Sequence, residues 1–353
     1  GPEEGKHPGG IKMDGAFTVL LLACFFQGSF GICFKKYQPF SWEAFWTLFS
    51  IVGVLLIPHI WAFIEVPNYM SYIMNTPIDK IFFGALMGFF WGISSIAYSK
   101  AIDMIGVSLV TGINLGLSLL LGSVVPMFIL GTFPSTKALI MLVLSMAVLM
   151  GGVLVLSKAG FMKNDDNEES VEEAKENSGP KKNSKFMVGF LLALAYGAGS
   201  AAINIGASAA NYPVQLAIDS GVSPVSASLL SWVIVFAGGF LANFVYAIIV
   251  LVKNKTYTDY TKPGAGKAYF KVLVTSFVWL AALAVYGKAT HLLGDLGPIV
   301  GWVGFNGLAL IIANMWGFRD GEWKGFPKAQ RIAIIGNAII VISLVFVALA
   351  NSL

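Results

Sequence analysis

Ten apolar stretches divide this chain, at approximately 15–33, 42–64, 80–102, 105–130, 136–157, 186–208, 225–251, 270–288, 294–317 and 330–351. Each approaches the about 20 residues that a helix needs to cross a roughly 30 Å hydrocarbon core. In lipid each backbone N–H and C=O must find its partner within the protein, which for separate stretches of this length means helices. Composition agrees, with 56% hydrophobic and only 12% charged residues over 353 positions, outside the range of soluble domains. The expected fold class is an all-α integral membrane protein with ten transmembrane helices. The opening residues 1–13 lack an initiator Met at the first position and read as a tag, cleavage scar or disordered N-terminus, outside that fold.

Two of the stretches carry the same letters. Trp91 to Gly106 reads WGISSIAYSKAIDMIG and, 188 residues later, Trp279 to Gly294 reads WLAALAVYGKATHLLG, a shared W-x6-Y-x-K-A-x4-G. A fainter echo pairs Phe25, Gly28 and Ser29 with Tyr196, Gly199 and Ser200. Internal repeats in a polytopic protein are typical of transporters, with the substrate site between the halves near the bilayer midplane. Between Lys158 and Lys185 the pattern breaks into a polar segment with seven acidic residues, the composition of a disordered linker. It predicts two repeats of five helices, 14–158 and 186–353, joined by an acidic cytoplasmic linker at 159–185. An odd number of helices per half turns the second copy upside down relative to the first.

Charge gives the orientation. Of 23 Lys and Arg residues, Lys6, Lys12, Lys80, Lys137 and Lys288 fall on the side of the termini and the other eighteen on the opposite side. The positive-inside rule then places both termini outside the cell's inner (plasma) membrane. The net charge of +4 is a topology signal and does not point to a nucleic-acid partner. Cys24 and Cys33 lie on one span about 13 Å apart along a helix, too far for a disulfide, and read as packing residues.

Gly and Pro concentrate in the fourth and ninth spans, at Gly106, Gly112, Gly116, Gly122 and Pro126 and at Gly294, Gly297, Pro298, Gly301, Gly304 and Gly307. Such positions suit close packing, bending and a binding site, and equally a plain packing face. A polar substrate needs aromatic faces together with amide and hydroxyl groups in one cavity. Near mid-depth the chain supplies Gln27, Trp91, Ser94, Ser95, Asn114, Ser118, Tyr196, Asn204, Trp279 and Asn306. In hydrocarbon these polar groups face the interior, as linkers between helices or as substrate ligands.

Phe34-Lys35-Lys36, Ser41-Trp42-Glu43, Gly84-Ala85 and Trp91-Gly92-Ile93, followed by Tyr98, Gly106 and Ser108, resemble the L-rhamnose/proton symporter family of the drug/metabolite transporter superfamily. The resemblance implies ten helices in two inverted five-helix repeats, and a secondary active transporter of L-rhamnose or a similar monosaccharide working by alternating access. It adds Tyr98 to the substrate-binding candidates. Helix eight is small or aliphatic from Ala281 to Val285, where the family is richer in aromatics.

Coupling to a proton calls for a carboxylate or imidazole within the membrane, yet none lies near the middle of a span. The candidates are Glu43, which the family-like Ser-Trp-Glu contains, and His59, with Asp103, His291 and Asp295 near other span ends. Glu43 has a structural alternative, since a carboxylate in a first turn favours the helix dipole and Ser41 is a natural N-cap. Sodium coupling, or none, stays open. The rival readings are an exporter of the same superfamily and a membrane-embedded enzyme. The three His residues form no metal-ligand spacing and no phosphate loop is present, so neither an enzyme nor a cofactor is expected, and a monomer and a homodimer both stay open.

Overall fold

The computed structural model describes residues 13–33, 36–105, 131–172, 181–294, 301–319, 321 and 323–352, with short pieces between 113 and 128. Most of the fourth span with its glycines and Pro126, and the turn from Asp295 through Pro298, lie outside them. Among the described residues the chain is helical and has no strand. Six stretches are long and apolar enough to cross a membrane, at Trp42–Glu65, Ile78–Tyr98, Thr136–Lys163, Met187–Asp219, Pro224–Asn254 and Ala265–Leu293. Gly15–Ser29 is a shorter apolar helix.

The first span is α1 (Met13–Cys33). The second is one span in three parts: α2 (Trp42–Phe49), a π-helical stretch at Ser50–Leu56, and α3 (Ile57–Glu65). Pro58 explains the change of winding, because it donates no hydrogen bond and its ring crowds the carbonyl one turn back. Opening the preceding turns to the wider π form accommodates both effects. A short α4 (Tyr69–Met74) leads into α5 (Ile78–Ile105), and α6 (Thr136–Glu172) follows, with Ser135 accepting from the Ala138 N–H at its start.

Composition predicts an unstructured linker from residue 159, but α6 continues through Glu172. Once a helix is nucleated, each added residue costs little, and the Lys, Met and Glu residues that follow Lys158 are good helix formers. The second half holds α7 (Lys181–Ala209), α8 (Tyr212–Asp219), α9 (Pro224–Ala227), α10 (Leu229–Asn254), α11 (Ala265–Leu293), α12 (Trp302–Arg319) and α13 (Pro327–Ser352), with a 3-10 turn at Thr256–Thr261.

The helices pack across the halves. α1 lies on α11 and α12, α5 on α7 and α10, and α6 on α13. Glycine permits the closest approaches: a Cβ at Gly88 would run into the Val235 carbonyl, and one at Gly238 into the Ala85 carbonyl. Gly152 and Gly336 do the same for α6 and α13. Among the described residues two large hydrophobic cores result, with a small third cluster at Ala101 and Ala193 between α5 and α7. The first joins α1, α2, α10, α11 and α12, and the second is centred on α6 and α13. Cys24 is buried and Cys33 half-buried, and both are free thiols, as their spacing predicts.

Candidate functional site

The two tryptophans of the repeated pattern meet face to face. Trp91 of α5 and Trp279 of α11 stack with ring centroids 5.7 Å apart and planes 22° apart. Phe236 of α10 lies 4.8 Å from Trp279 and 5.6 Å from Trp91, and Phe49 of α2 meets Trp279 edge-on at 5.4 Å. Trp232 extends the ladder, stacked on Phe236 at 5.4 Å. Gly239 makes room for it, since a Cβ there would stand 2.9 Å from the Trp91 ring.

Next to the stack, one amide joins three helices. Asn243 of α10 is buried, and its Oδ1 accepts from Trp46 Nε1 at 3.1 Å and from the Ser95 hydroxyl at 2.7 Å. Its Nδ2 donates to the Gly239 carbonyl at 2.9 Å. Ser95 also lies 2.6 Å from the Gly92 carbonyl, the alternative acceptor for its single proton. Asn243 was not among the sequence candidates. The available signal was a lone amide in the apolar run from Gly238 to Val245.

A cavity of about 340 Å³ opens between α7, α8, α10 and α11, within the range of small-molecule sites. It holds Asn204, Ser208, Gln215, Ser231 and Thr290, with Trp232, Tyr286 and His291 as its larger rings. Asn204 Oδ1 accepts from the Tyr286 hydroxyl at 2.7 Å, both side chains being buried. No Asp, Glu, Lys or Arg lines it among the described residues, so it suits a neutral polar guest. The aromatic ladder begins at its wall, at Trp232.

The other sequence candidates fall outside this cavity and the stack. Ser94 is buried beside Gly199 and bonds back to the Trp91 carbonyl at 2.6 Å. Tyr98 and Tyr196 form their own ring pair at 4.4 Å between α5 and α7. Asn306 donates to the Trp302 carbonyl at 2.9 Å, and Trp302 donates to the Ser118 carbonyl at 2.9 Å. Gln27 is half-buried on α1, and Asn114 Oδ1 is buried without a hydrogen-bond partner among the described residues.

Glu43 and His59 sit at opposite ends of the second span. Glu43 Oε1 accepts from Asn254 Nδ2 at 3.1 Å and from the Thr256 hydroxyl at 2.8 Å, while Ser41 caps the helix through Ala44 N–H at 3.3 Å. The same junction is tied by Asp259 Oδ2, which accepts from the Ser41 N–H at 2.8 Å, and by the Tyr260 hydroxyl on the Ala44 carbonyl at 2.8 Å. Lys262, 2.7 Å from Asp259, holds that carboxyl below its ordinary value, and burial pushes Tyr260 up to about 12. His59 Nδ1 lies 3.0 Å from the Tyr69 hydroxyl.

Lys288, the Lys of the second repeat copy, reaches Glu65 rather than standing alone at the interface. Its Nζ donates to both carboxylate oxygens, at 2.8 and 3.0 Å, and lies 5.8 Å from the Trp61 ring centroid. The pair joins α3 to α11, on a different face of α11 from the cavity. Nothing in the sequence marked Glu65.

Comparison with known proteins covers nearly the whole chain. The model of the family described as L-rhamnose-proton symport protein matches residues 13–352. An L-rhamnose-proton symporter of Citrobacter koseri is 24% identical over 330 residues, 91% of this chain and 92% of that protein. One from Escherichia coli strain 55989 is 29% identical over 264 residues, 74% of this chain and 71% of that protein. One from Shigella dysenteriae serotype 1 is 29% identical over 236 residues, 66% of this chain, and the match spans 64% of that protein's length. A solved crystal structure shares the fold, with a TM-score of 0.56 at 14% identity over 96% of this chain and 98% of its own. With the helical bundle, its membrane-length spans and the family match together, this multi-pass chain belongs to the L-rhamnose-proton symport protein family.

Proposed function

We propose that this protein carries a monosaccharide, L-rhamnose or a similar sugar, across the cell's inner membrane together with a proton, by alternating access. The observation that carries the reading is the family match over residues 13–352. The uncharged polar cavity agrees with it, since a neutral sugar needs hydroxyl and amide partners and no counter-ion. The family is one of transporters and not of enzymes.

The architecture we assign is ten helices as two inverted five-helix repeats, 14–158 and 186–353, with residues 159–185 cytoplasmic and both termini outside. The pairing of helices supports it. Exchanging each helix for its counterpart in the other half maps α1 on α11 into α7 on α5, and maps α6 on α13 into itself. Under this orientation the cavity faces outward, because α8 lies in a connection on the side of the termini. In the cycle we propose, the Trp91–Trp279 stack closes the floor and the halves rock about it. Gln27, Ser94, Ser95, Tyr98, Asn114, Tyr196 and Asn306 then line the path beyond the stack, and Asn204 belongs to the outward site.

For the proton, Glu43 and His59 are joined by His291, an imidazole at the cavity wall. Gln215, at the same cavity, donates to Asp219 at 2.9 Å, and Lys288, three residues before His291 on α11, pairs with Glu65. A sodium ion in the proton's place, export of another metabolite, and a monomer or a homodimer in the bilayer are the alternatives. Uptake of labelled L-rhamnose into proteoliposomes, with and without an inward proton gradient, tests the reading. Gradient-driven accumulation is expected. Uptake that follows sodium alone would replace the coupling ion, and no uptake of any monosaccharide would leave the exporter reading ahead.

A further inference from the structure

We propose that Ile218, with Ala207, makes the cavity select a deoxy sugar over its parent hexose, by covering the methyl group that L-rhamnose carries where L-mannose carries a hydroxymethyl group; this rests on the sugar-transport reading above. The lining of the cavity is uneven. Ser231 and Trp232 of α10 and Tyr286, Thr290 and His291 of α11 all carry a polar group, whereas the aliphatic side chains among the described lining residues are Ala207 of α7 and Ile218 of α8. Trp232 and Tyr286 are each 2% exposed. A guest therefore meets chiefly Thr290 and His291 from α11, and Ala207, Ser208, Gln215 and Ile218 from α7 and α8, which are half-buried or, for Gln215, exposed. The aliphatic surface lies on the α7 and α8 side, and Ala207 and Ile218 also pack on the larger core, which fixes their position.

Aliphatic surface that faces a wet cavity gains when an apolar group covers it. L-rhamnose has one such group, a methyl at one edge of a ring whose other edges carry hydroxyls. With those hydroxyls toward Thr290 and His291, the methyl group falls to Ala207 and Ile218. L-mannose differs by one hydroxyl on that same carbon. Placed against Ala207 and Ile218, the hydroxyl leaves water and gains no partner from either side chain, which is unfavourable. Gln215, one turn before Ile218 on α8, is already engaged with Asp219 at 2.9 Å. The polar side of the cavity binds both sugars alike, so the aliphatic side supplies the difference between them.

The test compares L-rhamnose and L-mannose binding to the purified full-length protein by calorimetry, for wild type and for Ile218→Thr. Wild type is expected to prefer L-rhamnose by about tenfold or more, the size of one such group in a pocket. Ile218→Thr removes apolar surface and adds a hydroxyl, and the preference is expected to fall to about threefold or less. A merely structural loss would weaken both sugars equally and leave their ratio in place, and an unchanged ratio overturns the inference. Wild-type protein that binds the two sugars equally would overturn it too, while leaving the transport reading intact. Wild-type protein that binds no monosaccharide would overturn that reading and the inference with it. Should Ile218→Thr not fold, Ala207→Ser gives the second arm by adding a hydroxyl to the same side of the cavity. A narrowed ratio is expected there, and an unchanged one overturns the proposal.

Discussion

Trp91 and Trp279, 188 positions apart in the sequence, stack with their ring planes 22° apart and their centroids at 5.7 Å. Each occupies the first place of the same repeated pattern, so the contact joins corresponding points of the two halves. It forms because α5 and α11 both pack on α10, and because Gly239 leaves space for the Trp91 ring.

Removing the stack should cost stability as well as transport. Trp279 is buried and Trp91 half-buried, so Trp279→Ala is expected to destabilise by about 3–5 kcal/mol and Trp91→Ala by less. The double variant should fall short of the sum, because the two rings share a contact. Denaturant unfolding in detergent measures this, and additive losses would deny the stack its coupling. Proteoliposome uptake by the same variants is expected to fall.

Asn243→Leu takes away the acceptor used by Trp46 and Ser95. Taking its acceptor from the half-buried Trp46 N–H costs about 1 kcal/mol. A thermal melt is expected to move down accordingly. Ser95→Ala added to Asn243→Leu should change little further, and an undiminished second loss would show that Ser95 relies on the Gly92 carbonyl instead.

Glu65 and Lys288 should couple. Either Glu65→Gln or Lys288→Met is expected to destabilise, and a double-mutant cycle should return a coupling on the order of 1 kcal/mol, lowered by solvent access to the pair. The swapped variant, Glu65→Lys with Lys288→Glu, is expected to recover part of that loss. A cycle that closes to zero would reduce the contact to an interface accident.

Asp259 gives a sign for pH. Its carboxyl is held below the ordinary 3.8 chiefly by Lys262, with further help from the Ser41 N–H. A group with a depressed folded pKa contributes stability above its unfolded value and loses it as pH falls through the folded one. The contribution is therefore complete at neutral pH and disappears below 3.8. Asp259→Asn should flatten that acid limb of the stability curve, and an unchanged acid limb would sink the assignment.

If His291 carries the proton, His291→Gln should keep L-rhamnose exchange at equal concentrations on both sides but lose accumulation driven by a proton gradient. Accumulation at the wild-type level would return the role to Glu43 or His59.

The helical class and most span positions were legible in the sequence, because hydrocarbon allows so few solutions for an apolar stretch. Trp91, Trp279 and Asn204 stood out in the sequence as a large ring repeated at one place and an amide at mid-depth, and the structure places the first two in one stack and the third at the cavity. Asn243, Trp232 and Glu65 did not stand out, since an Asn, Trp or Glu in a span becomes informative only once its partner or its cavity is known. The extension of α6 through Glu172 was missed because composition reports solubility, while helix propagation depends on the turns already formed.

By itself the sequence determined, from local composition and spacing, that this chain lives in a bilayer and repeats a pattern, and its motifs resemble those of a sugar symporter family. Only the tertiary structure decided which of the repeated residues touch. It stacked the two tryptophans, bound Lys288 to Glu65 and brought Trp232, Tyr286 and Asn204 to one cavity. These are relations between helices far apart in sequence, set by where glycine lets backbones approach and where buried polar groups find partners.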